Sequence, residues 1–257
     1  MKKALKALAL SAALAAAPAA QATPSTVYWT PATTYVQPYL VPHLTYDTYF
    51  AEKGAYLIDT GLTIGILPFE KLQAEIGFDL NYPGLTKSGF LLNAKLGVPE
   101  GAFGEMFPGI SAGVFGVGLQ SSSDPAKGPR SDYNILHAEI GKTFSFGNFT
   151  VGGYLGNDKL LLDEAGKKQA AGLIASYTSP DIKIGKPGLD KILVIADVQT
   201  GKSSFGAAGG GLALYFTPAI DLIAGPVFFL NEKVQPGQAS WMWTMQIDVD
   251  VDLMTKK

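Results

Sequence analysis

The 257 residues are 47% hydrophobic and 16% charged, with 20 basic and 22 acidic side chains and no cysteine. That balance excludes nucleic acid as a partner held on a basic surface, and it excludes disulfide stapling. Nothing after residue 22 runs 18 apolar residues without a polar break, which excludes a helical inner-membrane protein.

The chain opens on Lys2, Lys3 and Lys6, followed by an alanine-rich apolar stretch that ends at Pro18. Ala20, Gln21 and Ala22 supply the small-x-small pattern a signal peptidase needs, so residues 1–22 read as a cleaved signal peptide. A transmembrane anchor would need a longer, uninterrupted stretch. Without the leader, 17 basic residues stand against 22 acidic ones, a formal charge of −5. Residues 23–37 then form a short lead segment.

From residue 38 to 253 the chain alternates with a period of two, as strands do. Strands are expected near 40–50, 56–66, 72–82, 90–98, 109–120, 133–145, 149–157, 171–178, 191–200, 205–216, 220–230 and 241–253. The last is the clearest. Trp241, Trp243, Met245, Ile247, Val249, Val251 and Leu253 share one face, and Thr244, Gln246, Asp248, Asp250 and Asp252 share the other. It is long enough to cross a hydrocarbon layer when tilted. Short turns are expected at 52–54, 68–71, 99–101, 146–148 and 217–219, and longer connections at 121–132, 158–169 and 231–240.

A soluble periplasmic barrel or sandwich would bury the apolar face and wet the polar one. Two features favour a membrane barrel. The polar faces are rich in glycine, at 61, 65, 77, 97, 141, 152, 156, 209 and 211, as an inner wall that must not collide with itself tolerates. Aromatic residues also gather toward strand ends, with Tyr46, Tyr56, Tyr82, Trp241 and Trp243 as the expected interface girdle. The fold expected is an all-β, antiparallel up-and-down transmembrane β-barrel of about twelve strands, within ten to fourteen. The 254–257 tail follows it.

Leader, dyad strands, turn asymmetry and the long amphipathic last strand together resemble the Gram-negative outer-membrane β-barrel class, porin-like or uncharacterised. The resemblance implies the cell outer membrane as location, with its lipids and the barrel assembly machinery as partners. Tyr28, Trp29, Thr30 and Pro31, then Gln37, Pro38 and Tyr39, resemble the approach to the first strand in barrels of unassigned function. Such barrels end on an aromatic residue, whereas this chain ends Leu253, Met254, Thr255, Lys256, Lys257, which implies a variant assembly signal.

If apolar faces meet lipid, the lumen receives His43, Asp47, Asp59, Glu75, Asp79, Lys95, His137, Glu139, Asp197, Asp221, Asp248, Asp250 and Asp252. Acidic groups dominate, so an open lumen favours cations, unless Lys127 or Arg130 folds inward and cancels them. Pore and filled barrel are equally open readings at this stage. Neither histidine carries a metal motif, and the simplest role for each is a hydrogen-bonded lumen histidine. Ser111 and Ser176 are the only nucleophile candidates for a lipase or acyltransferase, and no motif surrounds them. Gly201, Lys202 and Ser203 lack the first glycine of a phosphate loop. Asp248, Asp250 and Asp252 lack the glycine and glutamate of a calcium loop. The expectation is a non-enzymatic, cofactor-free passive channel for small solutes or cations. The alternatives are a filled structural or adaptor barrel and a lipid-modifying enzyme.

Overall fold

A computed structural model of the chain describes residues 26–54, 58–82, 89–122 and 129–253. The leader, Tyr56, Lys127 and the 254–257 tail lie outside the described residues. Among those described, β-branched and aromatic residues in period-two runs form thirteen strands. The first seven are β1 (Pro42–Phe50), β2 (Ile58–Gly65), β3 (Gln73–Tyr82), β4 (Phe90–Val98), β5 (Gly109–Gly118), β6 (Asp132–Phe144) and β7 (Gly147–Leu155). They are followed by β8 (Ala171–Thr178), β9 (Ile182–Lys186), β10 (Leu189–Gln199), β11 (Ala207–Thr217), β12 (Ile220–Phe229) and β13 (Trp241–Asp250).

Every pairing between strands is antiparallel, and twelve strands close into a barrel. The seam joins β1 to β13 in unbroken register from His43 opposite Asp250 to Phe50 opposite Trp243. The thirteenth strand, β9, was not expected. No strand was expected between 178 and 191, yet β8 stops at Thr178 and Ile182–Lys186 forms a hairpin with the start of β10. The last strand also stops sooner than expected, at Asp250, so Asp252 and Leu253 lie beyond the ladder.

The polarity of the wall is inside out. Along β13, Trp241, Trp243, Met245 and Ile247 are exposed, while Met242, Thr244, Gln246 and Asp248 are buried. The same holds on β1, where Leu44, Tyr46 and Phe50 point outward and His43 is buried. Each large apolar side chain left in water forgoes about 1.5–3 kcal/mol. A wall studded with them specifies lipid as its outer solvent, and the fold is a transmembrane β-barrel.

Antiparallel order puts the β1–β2 connection at the same end as the long connections 119–131, 156–170 and 230–240. Gly54 indeed lies against Pro236. The turn at Glu52, Lys53 and Gly54 therefore belongs with the long loops, not with the short turns as expected. Outward aromatics mark both ends. Phe50 lies opposite Trp243 and Phe228 opposite Trp241 toward the loops. Phe144, Phe146 and Phe149 pack on one another at the other end. Tyr46 is outward but sits at the middle of β1, opposite Ile247, rather than in a girdle.

Candidate functional site

The lead segment does not hang outside the barrel; it runs through it. At the loop end Trp29 Nε1 donates to the Phe205 carbonyl, 3.1 Å away, in the connection between β10 and β11. At the turn end Tyr39 bridges to Gly65 before the chain enters β1. Between these points Tyr28, Thr30, Ala32, Val36 and Gln37 are at most 2% exposed.

The grip on this segment is made of inward side chains from β3, β8, β10 and β13 and a backbone carbonyl of β12. Asp197 Oδ2 on β10 accepts three successive backbone N–H groups, from Tyr28 at 3.1 Å, Trp29 at 2.7 Å and Thr30 at 2.8 Å. An extended segment inside a barrel has no ladder partner of its own, so these donors need such an acceptor. Gln246 Nε2 on β13 donates to the Tyr28 carbonyl at 2.8 Å, and the Tyr28 hydroxyl donates to the Pro226 carbonyl on β12 at 3.2 Å. Ser176 Oγ on β8 donates to the Ala32 carbonyl at 2.6 Å, and Ser111 Oγ on β5 lies 3.2 Å from the Thr33 carbonyl. At the foot, the Gln37 N–H donates to Glu75 Oε2 on β3 at 2.5 Å, and Gln37 Nε2 to Asp250 Oδ1 at 2.9 Å.

The inner-wall glycines make room for it. A Cβ at Gly209 would stand 2.5 Å from the Tyr28 ring, and one at Gly97 would stand 2.7 Å from Val36 Cγ2. Apolar packing completes the fit. Val27 and Tyr28 share a buried cluster with Leu193, Ile195, Ile223, Val227 and Met242. Ala32 shares another with Ile135, Ile174 and Leu161, the last from the loop after β7.

Space remains on the side of the lead that faces β1–β5, a cavity of about 340 Å³. Asp47, Asp59 and Asp79, from three adjacent strands, line it and are half-buried. Asp47 and Asp59 are direct cross-strand partners. Asp47 accepts from Thr45 Oγ1 at 2.6 Å and Tyr49 Oη at 3.3 Å, and Asp79 from Asn93 Nδ2 at 2.5 Å. Asp59 Oδ1 is buried with no hydrogen-bond partner. Among the described residues no basic side chain forms an ion pair with these three. Arg130 is committed to Asp132 at 2.7 Å, and so does not cancel them.

The other expected lumen residues sort into small buried groups. His43 stands between Asp250, 2.9 Å from Nδ1, and Asp248, 3.3 Å from Nε2. Asp221 is fully buried and lies opposite Asp248 on the neighbouring strand. Lys95 Nζ is 3.3 Å from Glu75 Oε1. Asp252, beyond the end of β13, is half-buried rather than part of the barrel wall. Tyr82 ends β3.

His137 Nδ1 is 2.6 Å from Glu139 Oε1, and Ser111 Oγ donates to Glu139 Oε2 at 2.7 Å. That order is wrong for acyl transfer. A nucleophile must give its proton to the imidazole, and here the carboxylate lies between serine and histidine. Ser176 spends its hydroxyl on the lead. Among the described residues no three histidine or acidic side chains are grouped as metal ligands.

Reading residues 23–37 as a simple lead missed the place of the described part, residues 26–37, in the lumen. The available signal was the run Val27, Tyr28, Trp29 with Val36, apolar residues that a solvated linker does not need.

No protein-family model matches the chain, and no curated protein matches it. Among solved structures it is similar to an outer membrane channel from Pseudomonas putida F1, with 12% identity over 91% of this chain and 99% of that chain and a TM-score of 0.45.

Proposed function

We propose that the chain is an outer-membrane channel, narrowed by its own N-terminal segment, that passes small solutes with a mild preference for cations. The observation that carries this reading is the cavity beside the lead, with Asp47, Asp59 and Asp79 in its wall and no basic partner on them among the described residues. Carboxylates in a low-dielectric tube focus field and concentrate cations. The outward apolar wall and the two aromatic ends support insertion among membrane lipids. The barrel assembly machinery is the partner such a fold requires to insert.

The test is single-channel conductance of the refolded protein in a planar bilayer under a KCl gradient. Stable steps with a cation-biased reversal potential are the expected result. A second reading, a filled structural or adaptor barrel, is favoured by the depth at which the lead is buried and bonded. A folded, heat-modifiable barrel that stays silent both with and without its lead would replace the channel by that second reading.

A further inference from the structure

Deepening that reading of the lumen, we propose that the cavity beside the lead is a binding site for small organic cations, an ammonium group joined to an apolar or aromatic body. The two halves of such a ligand find two different walls. Asp47, Asp59 and Asp79 bring three carboxylates together without a basic side chain paired to them among the described residues. Next to these acids the cavity is also lined by Trp29, Tyr49, Tyr133 and Phe205, with Tyr49 Oη donating to Asp47. Trp29 and Tyr49 meet edge to face at 6.2 Å, as do Tyr133 and Phe205 at 4.9 Å, so the aromatic wall is fixed in place.

Two unsatisfied groups point to a missing positive partner. Asp59 Oδ1 is buried without a hydrogen-bond donor. Asp248, 1% exposed, also lines the cavity; its Oδ1 is held by His43, while Oδ2 receives no N–H donor and is left with the Asp221 carboxyl on the neighbouring strand. Buried carboxylate oxygens are costly to leave unpaired, and an N–H-bearing cation supplies the donors these lack. A bare inorganic ion would satisfy the acids but would leave the aromatic wall unused. An alkylammonium or arylalkylammonium uses both, through charge-assisted hydrogen bonds and cation–π contact. The volume, about 340 Å³, lies at the lower end of small-ligand pockets, roughly 300–1,000 Å³. It suits a ligand with one ring, not several.

The experiment is calorimetric titration of the full mature chain in detergent with 2-phenylethylammonium chloride. Its anionic counterpart of similar shape, 3-phenylpropanoate, and KCl at equal ionic strength serve as competitors. Saturable binding of the amine alone is expected. Asp59→Asn or Asp79→Asn keeps the shape and relieves repulsion, so each should fold and weaken the amine about tenfold to a hundredfold. Trp29→Leu should weaken it about three- to tenfold. The proposal is overturned if the amine does not bind, if 3-phenylpropanoate binds as well, if K⁺ displaces the amine ion for ion, or if both Asn variants keep full affinity. Conductance without amine binding would sink this site and leave the channel standing. Amine binding in a barrel that never conducts would sink the channel and leave the site.

Discussion

The two sides of the lumen differ in how the lead covers them. From β10 to β13 the inward side chains Leu193, Ile195, Ala213, Ile223, Val227 and Met242 are buried in one cluster with Val27 and Tyr28, alongside the buried acids Asp197, Asp221, Asp248 and Asp250. From β1 to β4 the inward positions are Asp47, Asp59, Thr63, Glu75, Asp79 and Lys95. The apolar side can be dry only because the lead covers it. On the other side Asp47, Asp59 and Asp79 are only half-buried and border the open space, where their carboxylates escape the several kcal/mol that full burial without donors costs. The inner surface of one barrel thus divides into a bed for a segment and a wall for a passage.

Deleting residues 26–37 should have the largest effect. It uncovers the apolar side, removing about 1.5–3 kcal/mol for each large side chain such as Val27, Tyr28 and Val36. It should also convert small current steps into large ones, read by conductance, and lower the unfolding midpoint. Next comes Asp197→Ala, which strands the N–H groups of Tyr28, Trp29 and Thr30. Losing about 3 kcal/mol of charge-assisted bonding should speed amide exchange at those residues roughly a hundredfold. Gly209→Val should push the Tyr28 ring from its bed at a cost of about 1–3 kcal/mol, seen in the same exchange experiment.

Asp59→Asn with Asp79→Asn is the sharpening control. It should shift the reversal potential of the lead-deleted barrel toward anions and, in the intact chain, leave exchange at Tyr28–Thr30 unchanged; faster exchange there would mean the two sides are one coupled unit. The smallest effect belongs to Glu100, outside the membrane span. Partial burial raises its pKa, but hydrogen bonds from Lys142 and Thr143 outweigh that and hold the pKa below the usual 4.5. Its contribution is therefore present above pH 4.5 and lost as pH falls through the lowered value. Glu100→Gln should cost no more than about 1 kcal/mol at neutral pH.

Alternation alone placed the wall: Asp47, Asp59 and Asp79 can be set on the inner face by parity, because a strand has only two faces. Parity cannot say what fills the interior. Val36 touches Gly97, and Tyr28 touches Gly209, across 61 and 181 positions of chain. Glycine on an inner face signals only that space is needed, not for what. The β9 hairpin escaped for a different reason. Ile182 and Ile184 alternate over too short a stretch to register between two prolines. Trp29 was invisible as a site residue because it lies in a segment with no period, and Phe205 because it was expected to open the 205–216 strand, which begins only at Ala207.

Strand ladders carry load around a barrel's circumference, and nothing in them resists flattening of a circle into an ellipse. The bonds from the lead to β3, β8, β10, β12 and β13 run as chords across the ring. Lateral pressure from a bilayer that squeezed this barrel would have to stretch those chords. The segment is therefore a brace as well as an obstruction, and it fixes the cross-section of the space it leaves open.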